Sequence, residues 1–204
     1  MCSSDLSGSQ RVLDAMEKGT RVEQIETAAQ LLHEAGIEVG FFLQFGYPGE
    51  TLIEIEQTLN MVDRCGPDDI GLSVSYPLPG TPFHERVQSE LGSKQNWVDS
   101  SDLAMMYRAT YSPEFYRALH RFVHARFRAS RAWSTVRRVA RAPHRATARD
   151  VATIASGVLQ AGVLPLLSRR VQRLARAHPS TTPAPRMIPL LSQHAASLPS
   201  EQGH

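Results

Sequence analysis

The sequence predicts an α/β fold, with βα units around a parallel sheet followed by helices and a basic tail. Three observations carry that prediction. Ile37 to Phe45 is almost continuously apolar, as suits a strand buried on both faces of a parallel sheet. Helix, strand and loop recur at about thirty residues per unit, the spacing of repeated βα architecture. Two Gly/Pro-rich corners, GYPGET and PLPGTPF, each follow a predicted strand.

Each element has its own local signal. In SGSQRVLDAMEKGT, Val12, Leu13 and Met16 fall at helical spacing, Ser9 suits an N-cap and Gly19 a stop. Thr20 with Glu23 reads as a capping box, opening a second helix. Its apolar stripe is Val22, Ile25, Ala28, Ala29, Leu32 and Ala35, and Gly36 ends it. After the first strand a helix is predicted over 51–65, with Ile53, Ile55, Leu59 and Val62 inward and Gly66-Pro67 as its break. A second strand is expected over 70–76. From Trp97 to Trp133 the pattern is helical: Leu103, Met106 and Tyr107 lead in, and Phe115, Leu119, Phe122, Val123 and Phe127 follow. Phe115, Phe122, Phe127 and Trp133 read as a core stripe rather than a cofactor box. A last, amphipathic helix is predicted over 150–177, and Pro-rich residues 179–204 read as disordered. Two strands cannot close a core, so further elements are expected beyond this chain.

Charge divides the 204 residues. Residues 1–116 carry 7 Lys/Arg against 18 Asp/Glu, whereas 117–204 carry 15 Arg against Asp150 and Glu201, which places a boundary near Phe115. Cys2 and Cys65 are the two cysteines, too few for a disulfide framework or a multi-thiolate metal site. A reducing, cytoplasmic setting is the expectation. No window of eighteen purely apolar residues occurs, which argues against a membrane span. MCSSDL introduces no element well, and its back-translation matches a common sequencing adapter. Residues 1–6 are therefore read as non-native and the chain as the tail of a longer gene.

Function in parallel βα folds sits at the carboxyl ends of the strands, where GYPGET and PLPGTPF fall. Gly46 and Gly49 allow close backbone approach to a ligand, Pro48 stiffens the turn, and Glu50 is expected at a helix N-terminus. A plain βα turn with an acidic start is the competing reading. Gln44 is a polar residue within an apolar strand. Burying it unpaired would cost about 1–3 kcal/mol, so it is expected to face a ligand.

Taken together, SGSQRVLDAMEKG, AGIEVGFFLQFGYPGET and YPLPGTPF resemble the C-terminal part of a radical S-adenosylmethionine (SAM) enzyme, over residues 7–130. NWVDSSDLAMMYRATY is similar to the subgroup with a cobalamin-binding domain, which includes enzymes resembling the anaerobic magnesium-protoporphyrin ester cyclase. The resemblance implies a partial (β/α)6 barrel over 7–92, a helical extension over 93–140 and a basic tail over 141–204. It implies SAM contacts near Ser7 and Ser9, and Lys18 pairing with the SAM carboxylate. Lys18 also suits a helix C-terminus without any ligand. The backbone at Gln44, Phe45 and Gly46, leading into Pro48, Gly49 and Glu50, would line adenine and ribose, and Tyr76 and Pro79 would border the substrate. A four-iron four-sulfur cluster would cleave SAM to a 5′-deoxyadenosyl radical for C–H methylation or oxidative cyclisation of a small molecule, with cobalamin assisting. The family's CxxxCxxC is absent and its glutamate before Ser-Gly-Ser is replaced by Leu6, so this chain alone is expected to be inactive and to need the N-terminal half. The alternative is a non-catalytic, barrel-derived binding module.

Two features lie outside that resemblance. His120 and His124 share a helix face, but nearby arginines favour packing over metal binding. Arg117 to Arg149 holds ten Arg and no acid. It reads either as a solvated helix with a disordered tail or, with VATIASGVLQAGVLPLL and RRVQRLAR, as attachment to an anionic membrane surface. Nucleic acid is not the expected partner.

Overall fold

A computed structural model describes residues 2–77, 79–91, 107 and 109–177. Strands β1 (Cys2–Leu6), β2 (Gly40–Phe45) and β3 (Asp69–Val74) form one parallel sheet in the order β1-β2-β3. Helices α1 (Gln10–Ala15) and α2 (Val22–Glu34) lie between the first two strands in sequence, and α3 (Leu52–Cys65) between the second pair. Helix α4 (Pro82–Leu91) follows, then α5 (Pro113–Arg141), a 3-10 turn at Pro143–Arg145 and α6 (Ala148–Ala177). Residues 92–106 and 179–204, which carry the predicted lead-in from Trp97 and the disordered end, lie outside the described residues.

Alternation along β2 explains the layering. Phe41, Leu43 and Phe45 are buried and share a core with Ile25 and Ala29 of α2, and with Ile55, Leu59 and Val62 of α3. Opposite them in register stand Ile70, Leu72 and Val74 of β3. The other face of the sheet is open. Phe42 is 37% exposed there, and its ring crosses Gly71, where a Cβ would lie 2.6 Å from it.

Helix α3 spans the predicted residues, from the Thr51 cap to Gly66, whose left-handed φ of 56° closes the helix through its N–H to the Val62 carbonyl; Ile53, expected inward, is 70% exposed. Other expectations shift. MCSSDL does introduce an element: residues 2–6 form β1, with Leu6 only 4% exposed in the core. Its pairing to β2 slips between Ser3 and Leu6, and Asp5 takes a left-handed φ of 58° there. Helix α1 stops at Ala15, before Gly19, because left-handed Glu17 closes a Schellman motif: Glu17 N–H meets the Asp14 carbonyl at 3.0 Å and Lys18 N–H the Leu13 carbonyl at 3.1 Å. At α2 the cap is Arg21 rather than Thr20, and Gln24 Oε1 accepts the Arg21 N–H at 2.8 Å. Tyr107 stands outside any helix. The following helix starts instead at Ser112-Pro113, where the Ser112 hydroxyl accepts the Phe115 N–H.

Helix α5 buries Phe115, Tyr116, Leu119 and Val123 in the common core, and the charge boundary falls in its first turn. Trp133, read as core, is 60% exposed: that end of α5 packs chiefly on α6, with Arg131 donating to the Asp68 carbonyl. The two helices form an antiparallel hairpin: Arg138 pairs with Asp150, and Gly157 lies so close to Ala132 that a Cβ would fall 2.0 Å from its methyl.

Candidate functional site

Three loops meet at the carboxyl ends of β1, β2 and β3. They enclose a cavity of about 300 Å³ lined by Asp5, Lys18, Gln44, Tyr47, Tyr76, Phe83 and Arg86, among others. Lys18 is delivered by the end of α1, and its ammonium lies 2.9 Å from Asp5 Oδ2. Both groups are partly exposed, so the pair is weakly held and open to exchange. Gln44 points from the open face of β2 into the cavity, and its buried Oε1 has no hydrogen-bond partner among the described residues. Tyr47 donates to the Ala15 carbonyl, accepts from Arg86 Nη2 at 2.9 Å and stacks at 5.0 Å on Phe83. Burial pushes the Tyr47 hydroxyl pKa up, with Arg86 opposing.

Beneath the cavity, GYPGET is a folded-back turn. Gly46 and Gly49 have φ values of 84° and 77°, left-handed backbone that glycine adopts without strain. The Gly46 N–H donates to Glu50 Oε2 at 2.5 Å, and Tyr107 donates to the Gly46 carbonyl. Glu50 is 1% exposed and turned inward, not at the helix start. Burial raises its pKa to about 8; the Gly46 hydrogen bond opposes that, Glu54 adds to it and Arg11 opposes it. The acid at the start of α3 is Glu54, which accepts the Thr51 N–H at 2.8 Å and pairs with Arg11 at 2.8 Å. Burial raises the Glu54 pKa, but hydrogen bonds from Arg11 and Thr51 outweigh it and hold the value at about 2.

The remaining residues singled out in the sequence sit elsewhere. Ser7 is fully buried, 3.3 Å from Thr58 Oγ1, and accepts the Ser9 N–H; Ser9 caps α1 at 2% exposure. Ser7 holds the loop onto α3, Ser9 starts α1, and neither is among the residues lining the cavity. Phe45 packs into the core, Pro48 is half-buried, and Pro79 is exposed away from the cavity. The His120 and His124 rings meet edge to face at 4.5 Å, and no cluster of three metal-ligating side chains occurs among the described residues. Burial raises the Cys65 thiol pKa to about 11, with Glu26 adding, so it stays protonated and unreactive.

Sequence reasoning missed Asp5, Tyr47, Phe83, Arg86 and Tyr107. A Phe and an Arg in the first turns after PLPGTP were the available signal for two of them. Arg11 was missed as well. It ties α1 to the turn through Glu54 and through the Gly49 carbonyl at 2.8 Å. Arg11→Ala is expected to cost about 1–2 kcal/mol in urea unfolding, with Glu54 then titrating at higher pH.

The sequence relatives of this chain are radical SAM enzymes, and it resembles them over part of its length. It is 39% identical over 82 residues to the tRNA-2-methylthio-N(6)-dimethylallyladenosine synthase of Halorhodospira halophila, covering 39% of this chain and 17% of that protein. The synthase of the same name from Aromatoleum aromaticum is 36% identical over 78 residues, 37% of this chain and 18% of the relative. That of Thermus thermophilus is 33% identical over 86 residues, 40% and 18% respectively. The chain thus spans 17–18% of the length of these relatives. No family model matches it.

The cavity's donor set fits part of SAM. Lys18 and Arg86 suit a carboxylate, Asp5 an ammonium or ribose hydroxyl, the orphaned Gln44 carbonyl a donor, and Tyr47, Tyr76 and Phe83 an aromatic ring.

Proposed function

We propose that this chain is the C-terminal portion of a radical SAM enzyme, its three strands continuing a partial (β/α)6 barrel, and that the cavity holds part of SAM beside the substrate. The observation that carries this reading is the convergence of three loops, at the carboxyl ends of parallel strands, around the unpartnered Gln44 carbonyl. The open sheet face under Phe42 supports it, being the surface a barrel would turn inward. Lys18 and Arg86 hold the carboxylate, Gln44 orients the bound nucleoside, and Tyr47, Phe83 and Tyr76 exclude water. Held by Lys18, Arg86 and Gln44 beside a four-iron four-sulfur cluster bound elsewhere in the protein, SAM would supply radical chemistry toward an unactivated C–H bond. With two cysteines the chain lacks the cluster's three thiolates, which the N-terminal half must supply.

The finer reading is a cobalamin-linked enzyme that methylates or oxidatively cyclises a small molecule, carried by the resemblance of NWVDSSDLAMMYRATY. A second reading is favoured by the relatives' name: insertion of a methylthio group into a tRNA adenosine. Cobalt in the anaerobically purified longer protein supports the first; its absence, with a methylthioadenosine product, supports the second.

Titration of the chain with SAM, followed by heteronuclear NMR, tests the binding role. Shifts are expected at Lys18, Gln44 to Tyr47, and Tyr76. Lys18→Ala and Gln44→Leu should each weaken binding about tenfold. A titration that leaves those loops unmoved would sink the assignment. Genomic sequence without an upstream CxxxCxxC would favour the non-catalytic module.

A further inference from the structure

The outer face of α6 has two consecutive parts. Val151, Val158, Leu159 and Leu166 are 65%, 65%, 74% and 66% exposed, with Val163 at 42%. Arg169, Arg170, Arg173 and Arg176 follow, all exposed and without an ion-pair partner among the described residues. At 3.6 residues per turn both sets fall on the same side of the helix, opposite Gly157, Val171 and Ala175, which pack inward. An uncharged apolar strip thus leads into a cationic one on a single accessible face. The helix is long and apolar enough to cross a membrane by length and composition alone, although polar and glycine residues interrupt every purely apolar window, and only 6% of its apolar window is buried.

We propose that this face docks on an anionic phospholipid bilayer, with α6 lying in the interface plane. Charge selects the occupant: four arginines on the docking side, in a region 117–204 with 15 Arg against two acids, complement anionic headgroups. Val158, Leu159 and Leu166 then enter the acyl boundary. Pro165 argues for the interface over a span. It removes the hydrogen bond to the Ala161 carbonyl on the exposed side, where headgroup water can satisfy that oxygen and hydrocarbon cannot. Packing against α5 also leaves one side of α6 engaged with protein, as an in-plane helix requires.

The test is flotation of the full chain with vesicles of phosphatidylcholine alone, or mixed with phosphatidylglycerol. The chain is expected to float with the anionic vesicles only and to be released by high salt or carbonate. Leu159→Glu with Leu166→Glu should lower the bound fraction at least about tenfold, as should replacement of the four arginines by Gln. Both variants change exposed positions, so circular dichroism should show an unaltered fold. Equal flotation on the two vesicle types, retention through carbonate as for a span, or variants that bind like the parent would each overturn the proposal. So would a lipid-free dimer broken by the Leu→Glu pair without any vesicle binding. So, too, would tRNA binding that survives that pair while vesicles are ignored.

Discussion

Gly8→Val is expected to lower stability by about 3 kcal/mol and the melting temperature by roughly 6–12 °C. A Cβ at Gly8 would lie 2.5 Å from the Gln57 carbonyl oxygen, 2.5 Å from Thr58 Cα and 2.7 Å from the Gln57 carbonyl carbon. All three are backbone atoms of α3, so no rotamer change relieves the clash. Displacing the loop instead breaks the 2.9 Å bond from Gly8 N–H to Thr58 Oγ1 and parts Ser7 from the same hydroxyl. The small residues of SGS are thus required for contact between the β1–α1 loop and α3, which in turn positions Lys18. Gly162→Ala is the matched control. A Cβ there meets nothing within 4 Å, and helix propensity predicts a gain of up to about 1 kcal/mol. Thermal melts followed by circular dichroism decide the matter; a Gly8→Val curve overlying the parent's would refute the contact.

Glu50→Gln is expected to stabilise the protein above pH 8 by on the order of 4 kcal/mol, and to leave it nearly unchanged at pH 4.5. Glu50 titrates at about 8 in the fold against an ordinary 4.5. Between those pH values the folded state keeps a proton that the unfolded chain has released. Stability is therefore fully present below 4.5, falls as pH rises and levels off above about 8. A glutamine carbonyl can still accept the Gly46 N–H but carries no charge to desolvate. Urea unfolding at pH 5, 7 and 9 should show a falling profile for the parent and a flatter one for the variant. Parallel profiles would show that Glu50 is ionised without penalty. Glu54 acts in a separate window: its pKa of about 2 makes its contribution disappear only as pH falls below the ordinary carboxylate range.

Much of this layout was legible because it is local. The span of α3 and its Gly66 stop follow from residues within a turn of one another; the capping box at Thr51 with Glu54 is equally local but was missed, and the one expected at Thr20 with Glu23 gave way to Arg21 with Gln24. Elsewhere local signals competed and neighbours decided. Gly19 marked an end for α1, yet the chain turned earlier at Glu17, where docking of the α1 end against Tyr47 fixes the Ala15 carbonyl. Glu50 was the acid expected at the start of α3, yet Glu54 takes that place and Glu50 turns inward. The three tyrosines that approach Glu50, Tyr107, Tyr111 and Tyr116, come from the far side of the sequence, and no local pattern foretells them.

The parallel βα order, the glycine corners at strand ends and the separation of acidic from basic halves can be read along the chain alone, because hydrophobic period, left-handed turns and net charge are properties of short windows. Long-range packing alone brings Asp5, Lys18, Gln44, Tyr76 and Arg86 to one cavity, sets Ser7 against Thr58 of α3 and turns the apolar strip of α6 outward. Those outcomes depend on which groups lose water when distant segments pack, a quantity that no single window of the chain contains.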